Sequence, residues 1–83
     1  MVKERKPWNN MKTLRISGTL YLYERLLQGE SVFPNDAIEE LQVSPTTFKR
    51  MISDLRCYLM ERHPEKELVY HSLNRCYRLE YLK

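Results

Sequence analysis

The chain has 83 residues, 42% of them hydrophobic and 30% charged, and a formal net charge of +3. A chain this short buries only about 60% of its unfolded surface on folding, which favours one small domain and argues against a second domain or a deep enzyme cleft. The proportions are those of an ordinary globular protein rather than a disordered or fibrous one.

The longest apolar stretch, "TLYLYERLL", is interrupted by Glu24 and Arg25 and falls short of the roughly 20 residues that a membrane span needs. No apolar segment of a secretion signal follows the basic N-terminus, so the cytoplasm is the expected location and no membrane partner is expected. Two cysteines, Cys57 and Cys76, are too few for a disulfide framework and are expected to stay thiols. Charge is distributed unevenly: residues 1–15 sum to +4, residues 16–43 to −4 and residues 44–83 to +3. One side of the fold is therefore expected to face a polyanion, with an acidic segment turned away.

"MVKERKPWNNMK" at the start shows no periodicity and contains a proline. Residues 1–15 read as a flexible basic arm that Trp8 could anchor, and residues 16–83 as the folded domain. Ile16, Leu20, Tyr23 and Leu27 follow the spacing of one helical stripe. This spacing predicts a first helix over about residues 18–28, facing inward by that stripe and stopped by Gly29.

"ESVF" predicts a single strand-like bridge. Pro34 suits the first turn of a second helix, where its missing N–H needs no partner. That helix runs to about Leu41, with Asp36 favoured by the helix dipole in its first turn and Ala37, Ile38 and Leu41 facing inward. After the very short link "QV", Ser44 can cap a third helix and Pro45 can occupy its first position. Phe48, Ile52, Leu55 and Leu59 fall on one inward stripe, while Thr46, Arg50, Ser53 and Cys57 point the opposite way. His63-Pro64 ends this helix, because a residue before proline is pushed out of the α region. "LVYHS" and "CYRLEYL" then alternate as half-buried strands, placing Leu68 and Tyr70 on one face and Tyr77, Leu79 and Tyr81 on another, with "LNR" as the turn. The expected fold is mainly α with a small β-hairpin: helix, bridge, helix, tight turn, helix, hairpin.

A helix can read bases only if its outer face is polar while its inner stripe holds it on a scaffold. The third helix, about residues 45–62, meets both conditions. Thr46 to Ser53 spans about 10 Å, roughly three base pairs of a major groove. Thr46, Thr47, Lys49, Arg50 and Ser53 are the candidate readers. Arg50 can offer guanine a two-pronged donor, threonine can donate, accept or lay a methyl beside thymine, and Lys49 can reach base edges or backbone. Ser44 and the free N–H groups at the helix start suit a phosphate oxygen, and Arg15, beside the first helix, is a candidate phosphate contact.

The segment "AIEELQVSPTTFKRMISDLRCYL", with "YRL" after a polar turn, resembles the winged helix-turn-helix domain of DeoR-type and WYL-domain bacterial transcription regulators. Ser44, Thr47, Phe48, Arg50, Ile52 and Leu55 match that pattern in register, and the resemblance covers about residues 16–81. It implies sequence-specific binding of double-stranded DNA, with Asn74 and Arg75 at a wing tip near a minor groove or a phosphate. The effector domains of response regulators end similarly and are a second relative.

The chain departs from the pattern in that Met51 stands where an acidic residue is common and Thr46 where arginine is common, so base preference does not carry over. The wing reads Cys76-Tyr77-Arg78-Leu79 instead of beginning with glycine, which leaves Asn74 to supply a positive φ. The ligand-sensing domain that such regulators usually carry is not expected in this chain.

A protein-interaction module of the same fold is the alternative, and a second copy of the chain is a further candidate partner. Cys57, His63, His71 and Cys76 lack the close cysteine pairs of common zinc modules, so neither a metal nor a cofactor is expected. No nucleophile with an orienting base, carboxylate pair or glycine-rich phosphate loop is evident, so no catalytic residue is expected.

Overall fold

The structure is a computed structural model that describes residues 11–82, with side chains from residue 15 onward. It contains helices α1 (Met11–Leu27), α2 (Pro34–Leu41) and α3 (Pro45–Arg62), then the strands β1 (Lys66–His71) and β2 (Cys76–Tyr81) of an antiparallel hairpin. Three helices with one terminal hairpin are the expected fold class and are compatible with a winged-helix arrangement. Among the described residues, no helix is long and apolar enough to cross a membrane.

Local chemistry sets the helix ends. At the end of α1, Gly29 adopts φ 86°, which lets its N–H reach Leu26 O at 3.0 Å and the Glu30 N–H reach Arg25 O at 3.1 Å. The end of α2 repeats this geometry without a glycine: Gln42 adopts φ 56°, and the N–H groups of Gln42 and Val43 bond Glu39 O and Ile38 O. Ser44 Oγ accepts the Thr47 N–H at 3.0 Å and caps α3, with Pro45 at the first helical position. His63 closes α3 at φ −138°, ahead of Pro64.

The core is formed by Leu22 and Leu26 of α1, Val32, Ala37 of α2, Phe48, Met51, Ile52, Leu55 and Leu59 of α3, and Leu68 of β1. The predicted inward stripe of α3 is buried as expected, and Ala37, Ile38 and Leu41 of α2 turn to the core. Val32 forms the expected bridge, exchanging hydrogen bonds with Tyr77 at 2.9 and 2.8 Å. Tyr77 is thereby paired on both sides, by Val32 and by Tyr70.

The first helix differs from expectation in extent and in facing. It begins at Met11, so residues 11–15, read as part of a flexible arm, are helical. The rest of the predicted arm, residues 1–10 with Trp8, lies outside the described residues. The inward face is Gly18, Leu22 and Leu26, whereas Ile16, Leu20 and Leu27 are 53%, 59% and 43% exposed. The two rows lie about 130° apart around the axis. Gly18 decides between them, because its lack of a side chain admits Met51 and Leu41 into close approach, and hydrophobic spacing does not register a glycine.

The hairpin is also longer at its start than expected, since β1 begins at Lys66. Pairing Leu68 with Leu79 and Tyr70 with Tyr77 puts both predicted strand faces on one side of the sheet.

Candidate nucleic-acid interface

On α3 the inner row is buried and the outer row is open. Thr46, Lys49, Arg50, Ser53 and Cys57 are all exposed. Lys49 and Arg50 make no ion pair with another described residue, so their charges remain available to a ligand. The large apolar side chain exposed nearest this row is Met60, one helical turn and more beyond Ser53.

Thr47 belongs more to the cap than to the reading row. It is half-buried, its N–H is held by Ser44 Oγ, and its hydroxyl accepts from Ser44 Oγ at 3.0 Å. Ser44 itself is exposed at the helix start, where the remaining first-turn N–H groups also face outward from the chain.

Arg15 does not stand on a free arm. It lies in α1, with its Nε 3.2 Å from Asp54 Oδ2 on α3, one turn beyond Arg50. The ion pair is about half exposed at both partners, so it ties α1 to α3 only weakly. It nevertheless places the guanidinium beside the outward row.

At the other flank, Asn74 and Arg75 are exposed in the turn that joins β1 to β2. The positive φ expected at Asn74 occurs instead at Arg75, at 55°. The turn also presents Leu73, which is 97% exposed. Asparagine adopts this conformation more readily than arginine, but the register fixes which residue must turn: Cys76 pairs with His71, and Arg75 is the last residue before that pair.

Sequence reasoning missed Arg56. It lies seven residues after Lys49, on the flank of α3 that meets the hairpin. Its Cζ is 5.7 Å from the centroid of the Tyr77 ring, and its Nη2 is 3.5 Å from Leu68 O. Tyr77 in turn meets Phe48 at 6.0 Å and Tyr70 at 5.0 Å between centroids. Arg56 therefore joins the outward edge of α3 to the sheet, through contacts between residues far apart in the chain. The i, i+7 relation to Lys49 was the available signal.

The acidic segment gathers elsewhere. Glu24, Glu30, Asp36 and Glu40 line an open depression with Tyr21, Arg25 and Gln28. Arg25 binds Glu30 at 2.9 Å and Glu40 at 3.2 Å, and the hydrogen bond to Glu30 chiefly holds its guanidinium in the charged form. Tyr21 donates its hydroxyl to Glu40, which raises the phenol above its ordinary value. Basic readers and acidic residues thus occupy separate regions, on different elements of the fold.

Among the described residues, no three His, Cys, Asp or Glu side chains converge as a metal site requires. Cys57 is exposed and Cys76 buried, and both are free thiols. No family model, curated protein or solved structure matches the chain.

Proposed function

We propose that this chain is a duplex-DNA-binding domain of the winged helix-turn-helix kind, acting in the cytoplasm as part of a bacterial transcription regulator and not as an enzyme. The observation that carries the reading is the two-sidedness of α3. Five of its residues are buried in the core, while Thr46, Lys49, Arg50 and Ser53 stand exposed on the far side. A rod held this firmly can present donors to base edges without first being ordered.

In this reading α3 enters the major groove. Arg50 and Thr46 read base edges, Ser53 reads at the far end of the span, and Lys49 contacts an edge or a phosphate. Asn74 and Arg75 bring the hairpin turn to the adjacent backbone or minor groove, and Arg15 and Ser44 supply phosphate contacts at the flanks. Phosphate contacts provide much of the affinity and make it fall with salt. The resemblance of residues 16–81 to DeoR-type and WYL-domain regulators supports the assignment to transcription. The alternative interaction module calls for an apolar outward face on α3, and the exposed row there is polar.

Gel shifts on duplex DNA across a salt series test the reading, followed by selection of bound sequences from a random pool. The expected result is binding at about 50 mM salt that weakens steeply by about 200 mM. Absence of any shift at the lower salt would overturn it.

A further inference from the structure

Once the core is complete, one apolar row of α1 is left over. Ile16, Leu20 and Leu27 are 53%, 59% and 43% exposed, and Tyr23 lies half-buried among them. The row runs for about 17 Å along the helix. Scattered exposed hydrophobics are ordinary, but a continuous row is the mark of an interaction face.

The row broadens at Tyr23. Its ring meets Tyr58 of α3 edge-on at 5.8 Å, and Lys66 Nζ lies 5.7 Å from the Tyr23 centroid and 5.9 Å from that of Tyr81. Tyr58 and Tyr81 are 44% and 61% exposed. The resulting patch draws on α1, α3 and the end of β2.

The charges on α1 say what could cover it. Lys12 and Arg15 lie in its first half, and Glu24 and then Glu30 lie toward and just beyond its end. This polarity opposes the helix dipole, which favours acidic residues at the start and basic ones at the end. Arg25, the one cation in the last turn, is already held by Glu30 and Glu40. A second α1 running antiparallel would set its acidic end beside the basic end of the first, and a twofold axis would make that match twice. A parallel partner would set like charges together.

We propose that α1 is a dimerisation helix: a second copy of this chain lays its own Ile16–Leu27 row antiparallel across this one, about a twofold axis between Leu20 and Tyr23. Ile16 of one copy then faces Leu27 of the other. The row is on a different side of α1 from the residues that meet α3, so Thr46, Lys49, Arg50 and Ser53 stay uncovered. The pairing stands whether or not the chain binds DNA.

Sedimentation of the full chain between about 1 and 200 μM tests it, the range in which micromolar self-association shows. A dimer is expected, with a dissociation constant raised at least about tenfold by Leu20→Glu while the helical circular dichroism is kept. Should that variant lose its helical signal, Leu27→Gln in the last turn serves the same purpose. In a Cys57→Ser background, Ile16→Cys chains should cross-link with Leu27→Cys chains and neither should cross-link with itself. A monomer at every concentration overturns the proposal, as does a dimer indifferent to Leu20→Glu and Leu27→Gln. Self-cross-linking of Ile16→Cys would overturn the antiparallel arrangement.

Discussion

A β-carbon on Gly18 would lie 2.5 Å from Met51 Cε, so the side chain that one residue lacks is the space the other occupies. Met51 is fully buried and its sulfur lies 3.5 Å from the same point, which leaves little room for a larger neighbour. Gly18→Leu should destabilise the fold by about 1–3 kcal/mol through overpacking. In a Met51→Ala background the same change should cost much less, because the cavity left there accepts it. Urea denaturation of the four chains measures the coupling, and additive effects would mean that the two residues do not share this space.

Arg50 and Lys49 are adjacent on α3 but should fail differently. Arg50→Ala is expected to weaken a selected DNA site by about 1–3 kcal/mol and to relax preference at one base pair. Lys49→Ala should weaken all duplexes about equally and reduce the salt slope by about 1 if its contact is a phosphate. Titrations of a selected and a scrambled duplex at several salt concentrations distinguish the two patterns. Unchanged binding in the Arg50 variant would count heavily against the groove placement of α3.

Ser44→Ala should lower stability by about 1 kcal/mol, because the Thr47 N–H loses its acceptor. Ser44→Gly should cost only a few tenths of that scale. Thermal melts of both variants check the order. Equal melting temperatures for the two would show that the cap contributes nothing.

The hydrogen bond to Glu40 raises Tyr21 above the ordinary value of 10.0, and the bond to the Tyr23 hydroxyl raises Lys66 above 10.5. The folded chain therefore holds these protons to higher pH than the unfolded chain does. Their contribution is whole below about pH 10 and is lost as pH rises through the raised values. Melting temperature should thus fall on the alkaline side, and Tyr21→Phe should make that fall shallower while changing neutral behaviour little. An alkaline limb identical in the variant would exclude Tyr21 as a contributor.

The helix ends and the whole of α3 could be read from the sequence because their causes are local. Ser44, Pro45, Gly29 and Pro64 each act on backbone within a few residues, and the Phe48, Ile52, Leu55, Leu59 row has no competitor on its helix. On α1 two rows compete, and hydrophobic counting prefers the one containing Ile16 and Leu20. The choice depends on Met51 filling the gap at Gly18, a contact across 33 positions that spacing cannot carry. Arg15 and Arg56 were misjudged or missed for the same reason, since their partners Asp54 and Tyr77 are defined by packing. The placement of Thr46, Lys49, Arg50 and Ser53 on an open face was legible, because it is the complement of the buried row.

The link from Gln42 to Ser44 has a mechanical consequence. Its left-handed residue, two bonded N–H groups and capping hydroxyl leave no slack between α2 and α3. The two helices therefore form one lever without a joint, and a push on the far side of α3 displaces α2 with it. Any adjustment to a change in target spacing must come from outside this pair.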